Sequence, residues 1–236
     1  MKHATRFSTP MLAFALAAGM TANIPADNTE QVNDSGFTTK IDNPFFPLVP
    51  GTTFIYEGTK DGSPTRDEFA VTKRTKVIMG VTCREISDRV FVDGFLEEDT
   101  LDWFAQDAQG AVWYFGENTK ELDPAGNVVS TEGTWLAGVD GALPGIVMEA
   151  HPEVGDTYQQ EFAPGVAEDM AAVLAVNKTV KVPFGTFRGC LETKEFTPLE
   201  PGAFEDKYYA AGIGFIRGVL MKGGKEELNL VKIVTD

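Results

Sequence analysis

The side chains able to do chemistry in this 236-residue chain are few in kind: two histidines, two cysteines and 35 acids. His3 falls in an N-terminal segment that reads as a cleaved signal, which leaves His151 alone. A Ser-His-Asp mechanism would have to use it, and no Gly-x-Ser-x-Gly turn is available to present a serine. Zinc peptidase motifs need two histidines on one helix, and a structural Cys/His zinc site needs four ligands. Neither can be composed from one histidine and two cysteines. The glycine-rich run Gly212 to Gly218 lacks the strand–loop–helix context and the Lys-Ser/Thr ending of a phosphate-cradling loop.

His151 sits in a loop-like acidic stretch, Met148-Glu149-Ala150-His151-Pro152-Glu153-Val154-Gly155-Asp156. An imidazole with Glu149, Glu153 and Asp156 offers donors for a divalent metal, and Met148 would assist a soft ion such as copper(I). A metal is therefore the cofactor these residues allow, against the plainer reading of a surface histidine before a proline. Calcium would also accept loop oxygens, but no Asp-x-Asp-x-Asp-Gly loop is present. Glycoside hydrolysis needs only two acids at a set separation. Glu97-Glu98-Asp99 with Asp102, and Glu149 with Glu153, are the densest acidic clusters, and both read more naturally as solvated faces. Cys83 and Cys190 are expected to form a disulfide in an oxidising compartment, closing a loop worth at most about 4–5 kcal/mol in the entropic picture.

Aromatic residues provide the remaining candidates. Trp103, Trp113 and Tyr114 fall on two neighbouring strands, and alternation places Trp113 and Phe115 on one face with Tyr114 on the other. If both faces carry aromatics, one is core and the other a ligand groove. Core packing accounts for most of these rings, and Trp103, Trp113 and Tyr114 are the ligand-binding candidates.

The elements that would position these residues are strands. Lys2, His3 and Arg6, then the apolar run Met11 to Met20, then small residues with exits after Ala22 or Ala26, have the pattern of an export signal. The run is too short for a membrane-spanning helix, no later stretch would anchor the chain, and no cysteine at the exit would take a lipid. Residues 1–26 are therefore the expected signal peptide, 27–40 a flexible lead and 41–236 a single β domain, secreted or periplasmic. Cleavage removes two positive charges and no acid, so the formal charge moves from −15 to −17. Such a surface repels phosphate backbones and excludes nucleic acid as a partner. The oligomeric state is left open.

Within the domain, short β-branched and aromatic runs alternate with turn signals such as Asp61-Gly62, Asp93-Gly94 and Asp123-Pro124-Ala125-Gly126 at roughly ten-residue spacing, which predicts an antiparallel sheet, sandwich or barrel. Asn43 to Gly51 is too rich in proline for a central strand and reads as a buried plug or an extended edge. Gly138 to Pro164 reads as long central loops. Gly165 to Val176 reads as one short helix or a strand, since Val166, Met170, Val173 and Leu174 have helical spacing but run into Lys178 to Val182.

Ile41 to Phe54, Val182 to Phe187 and Tyr208 to Ile216 resemble a group of exported bacterial β-rich proteins, over the ends of the mature chain more than its middle, and the last two pieces are similar to those of lipoproteins with a curved, lipid-carrier-like half-barrel. The resemblance implies export and a strongly curved sheet. This chain departs from it in lacking a lipobox cysteine, and no catalytic residue carries over. The resulting expectation is an all-β antiparallel meander curved into a half-barrel or barrel. Its expected role is non-catalytic binding of a small or apolar ligand. The alternatives are a metal-binding protein centred on His151 and a carboxylate-dependent hydrolase of a surface polymer.

Overall fold

Two-residue turns with both residues at positive φ set the first half of the fold. Asp61-Gly62, Met79-Gly80 and Asp93-Gly94 all adopt this geometry, whose twist matches that of antiparallel strands. The computed structural model describes residues 36–236, so the expected signal peptide and most of the expected lead lie outside the described residues. Just ahead of Ile41, Thr38 exchanges two backbone hydrogen bonds with Gln106.

β1 (Thr52–Lys60), β2 (Ser63–Ile78), β3 (Val81–Val92), β4 (Phe95–Gln106) and β5 (Val112–Leu122) form a meander of long strands. Short pieces follow: β6 (Val128–Ser130), β7 (Trp135–Leu136), β8 (Leu143–Met148), β9 (Thr157–Gln159) and β10 (Glu161–Phe162). A second meander closes the chain: β11 (Met170–Val182), β12 (Gly185–Phe196), β13 (Phe204–Ala210), β14 (Gly214–Lys222) and β15 (Glu226–Thr235). No helix occurs among the described residues, so the ambiguous 165–176 stretch resolves as a loop leading into β11. Correspondingly, no described helix could cross a membrane.

The strands make one antiparallel sheet in the order β10-β8-β5-β4-β3-β2-β1-β15-β14-β13-β12-β11-β9, with β6 and β7 also paired to β5. β9 and β10 end that order on opposite sides, yet only Gln160 separates them in sequence. The sheet therefore curls until its two edges meet, giving an antiparallel barrel with one unsealed seam. At the seam the amides of Gln160 and Glu161 both donate to Asp169 O, at 2.7 and 3.2 Å.

Strand alternation separates the two faces. Phe54, Tyr56, Phe69, Phe104, Val147, Glu195, Lys207, Tyr209 and Phe215 line one cavity although their strands are scattered around the sheet order, so their face is the barrel interior. Directly paired residues share a face. Glu85 with Trp103 and Ala105 with Trp113 accordingly lie outside. That outer patch is buried by Phe37, which meets Trp113 and Phe115 edge-on at 6.1 and 5.5 Å. A bulge at Phe115-Gly116, opposite the single residue Trp103, returns Glu117 to the interior. Gly116 is required there: its φ is +132°, and a Cβ would lie 2.5 Å from Trp135 O.

The expected Cys83–Cys190 disulfide is corrected by this topology. Both cysteines are free and buried. Cys83 is on β3 and Cys190 on β12, with five strands between them in the sheet. The two strands belong to different meanders of the chain, and no sulfur–sulfur bond joins them. Burial pushes the Cys83 thiol up to about 12, with Lys76 opposing.

Candidate ligand cavity

The proline-rich segment between Asn43 and Pro50 is the plug of the barrel. Pro44 and Pro47 lack the N–H groups a ladder needs, and the segment is held instead through two side chains, Asn43 and Gln106. Asn43 donates from Nδ2 to Gly110 O and Glu149 O at 2.8 and 3.0 Å, and its Oδ1 accepts the Phe45 amide at 2.9 Å. Gln106 receives the amides of Asp42 and Asn43 on one amide atom and donates to Asp42 from the other. On the far side of the mouth, Gly212 N donates to Pro44 O at 2.7 Å. The strap thus spans from the β4–β5 end to the β13–β14 turn and lowers Phe46 edge-on against Phe104, 5.5 Å between ring centres.

Beneath it lies a cavity of about 40 Å³, room for roughly three waters. Its upper wall is apolar: Phe46, Leu48, Phe54, Phe69, Phe104, Phe215. Its lower end is polar, with Gln160, Glu195, Lys207 and Tyr209. Lys207 Nζ lies 2.7 Å from Glu195 Oε2 and 3.7 Å from Glu205 Oε2, and both carboxylates are buried. Glu195 Oε1 also accepts the hydroxyls of Tyr209 at 2.8 Å and Thr193 at 3.1 Å. Burial alone would lower the Lys207 pKa, but the Glu195 and Glu205 charges outweigh it and raise it.

The rest of the interior is unusually acidic. Asp67, Asp88, Glu98, Asp102, Glu117 and Glu161 are all buried. Burial pushes Asp67 and Asp102 up to about 7 and Glu98, Asp169 and Glu205 up to about 8. Asp88, Glu117 and Glu161 are raised well above the carboxylate range, first by burial and then by neighbouring acids. Asp102 Oδ1 accepts the Tyr114 hydroxyl at 2.6 Å. Asp102 Oδ2 and Glu117 Oε1 find no donor among the described residues. Burial and neighbouring like charge both favour the protonated form of these carboxyls.

No protein-family model and no curated protein matches the chain. Among solved structures it is similar to one described as a "putative lipoprotein" from Parabacteroides distasonis ATCC 8503. That likeness has a TM-score of 0.43 and 11% identity, over 80% of this chain and 98% of that one.

The residues singled out from sequence are scattered relative to this cavity. Tyr114 is an interior core residue, fully buried and stacked on Phe104 at 4.6 Å. Trp113 is on the opposite face, as alternation predicts, and its indole donates to Asp107 at 2.9 Å. Trp103 faces out with Lys76 Nζ 3.6 Å from its ring centre, and it borders a surface groove with Trp135 and Asp140. The three rings therefore do not share a site. Among the described residues no group of three or more His, Cys, Asp or Glu side chains is placed to hold a metal. His151 is exposed, and Asp156 is occupied in accepting the Glu153 amide at 2.7 Å. Glu149 neighbours Asp156, and burial followed by that like charge pushes it up to about 7. Of the metal set drawn from sequence proximity, Glu149 and Asp156 come together, but no three of Glu149, His151, Glu153 and Asp156 form a ligand group among the described residues. Glu195, Lys207 and Gln160, which form the cavity's polar end, were not predicted. Glu195 and Lys207 look like ordinary alternating strand residues and Gln160 falls in the stretch read as loop, and only closure of the sheet brings them together.

Proposed function

We propose that this is an exported, non-catalytic binding protein whose barrel receives a small, largely apolar ligand beneath the Asn43–Pro50 strap. The observation carrying this reading is the cavity with aromatic walls and a single polar end, closed by a segment pinned at two points rather than built into the ladder. Binding sites of this kind are concave, mostly apolar and furnished with a few convergent polar groups. At about 40 Å³ the cavity holds little beyond water, so the ligand enters as Phe46 leaves the ring of Phe104. Export rests on the basic, apolar and small-residue pattern of residues 1–26.

Native mass spectrometry of the protein recovered from the exported fraction tests both halves. The expected spectrum shows a chain starting near Asn23 or Asp27, carrying a mass increment that organic solvent extracts. A bare mass, together with no rise in melting temperature on adding decanol, would overturn the binding role. An uncleaved N-terminus would overturn export.

A further inference from the structure

The polar end of the cavity has a chemical bias that selects the ligand's charge. Lys207 is the one cation lining it, and its ammonium already faces Glu195 and Glu205. From the surrounding elements it also meets Asp169 ahead of β11, with Tyr158 of β9, Tyr209 of β13 and Glu226 of β15 close to the same acids. A ligand carboxylate would arrive where acids outnumber the base and where the lining ammonium is already paired. A ligand that donates would meet the reverse situation, since Glu195, Glu205 and Asp169 crowd one shared ammonium. The walls add to this preference. The faces of Phe54, Phe69, Phe104 and Phe215 attract cations, and the attraction strengthens as water is excluded.

We propose that the cavity binds an apolar ammonium, a hydrocarbon or aromatic body bearing one amine, with its charge directed to Glu195 among these rings. The inference rests on the binding role proposed above and deepens it. Burial raises Asp169 and Glu205 to about 8, so seating a cation beside them releases protons. The acidic chain, at −15 overall, also steers cations toward the molecule and anions away.

Calorimetric titration of the full chain with decylamine, decanol and sodium decanoate, matched in tail length, tests this. Each is run at pH 7 in two buffers of different ionisation enthalpy. The amine is expected to bind at least ten-fold more tightly than the alcohol, with decanoate weakest. Amine binding should show a buffer-dependent heat corresponding to proton release, and decanol binding should not. Glu195→Gln should erase the amine preference; the buffer-dependent heat of the unaltered protein gives the answer independently if that variant fails to fold. Equal affinities, or decanoate binding best, would overturn the ammonium assignment and leave the apolar-binding role standing. Failure of all three to bind would overturn both.

Discussion

Asn43 shows how much of the mouth depends on one side chain. Its amide makes three hydrogen bonds, and its backbone amide makes a fourth to Gln106, all in a site from which water is largely excluded. Replacing it by alanine leaves the Phe45 amide and two carbonyls without that partner, and each unmet buried group costs about 1–3 kcal/mol. Asn43→Ala is therefore expected to lower unfolding free energy by about 2–4 kcal/mol, read as a lower urea midpoint at unchanged slope. It should also speed entry of a hydrophobic fluorophore. An unchanged midpoint would mean the strap is held by Phe46 and Leu48 packing alone. From the sequence, Pro44 and Pro47 already exclude this segment from a central strand. Its partners could not be read there, because Gln106 and Glu149 are 63 and 106 residues away and no local period links them to Asn43.

At the scale of elements, the seam is where the fold and the acidic interior meet. β10 is two residues long and pairs only with β8, so its other edge meets β11 through the two bonds to Asp169 O. Glu161 of β10 faces Asp169, Glu117 and Asp102, and lies within reach of the Trp135 indole. Neutral carboxyls tolerate that crowding, while ionised ones repel across a gap with no continuous ladder to resist them. Hydrogen exchange, corrected for intrinsic rates, should show the Gln160 and Glu161 amides losing protection as pH rises through about 8, where Asp169 titrates. β3–β4 amides serve as the reference. Glu161→Gln should keep the seam protected; pH-independent protection would show that backbone pairing alone sets its stability. This arrangement was hidden in the sequence for a definite reason. Glu97-Glu98-Asp99-Thr100-Leu101-Asp102 reads as a solvated acidic face, whereas alternation sends Glu98, Thr100 and Asp102 inward and leaves Glu97, Asp99 and Leu101 outside. The inward set is wholly polar and the one apolar residue, Leu101, lies outside, so the hydrophobic pattern points to the wrong face. Where hydrophobic and turn signals were distinct, as in β3, β12 and β14, strands and hairpins could be placed directly.

For the whole molecule, a barrel lined with neutral carboxyls has an inverted dependence of stability on pH. In the unfolded chain Asp and Glu titrate near 4. In the folded barrel burial moves Asp67 and Asp102 to about 7 and Glu98, Asp169 and Glu205 to about 8. Between these limits the folded state binds more protons than the unfolded one, so unfolding free energy falls as pH rises. The contribution is fully present below about pH 4 and is lost as pH climbs through 7 to 8, opposite to the usual paired carboxylate. One group shifted by three units corresponds to about 4 kcal/mol, and because the acids interact the total is less than their sum. Urea unfolding at pH 5, 7 and 9 should show stability declining by several kcal/mol across the series. Repulsion among surface acids would give a decline of the same sign, so a variant separates the causes. Glu98 is buried beside Thr100, with Lys60, Asp102 and Glu121 its charged neighbours. Glu98→Gln keeps the shape but removes the ionisation, and should flatten the slope between pH 5 and 9 by close to one proton. It should leave the protein more stable than the unaltered chain at pH 9 and no more stable at pH 5. Parallel pH profiles for the two proteins would place the decline on the surface and show that Glu98 is already charged inside the barrel.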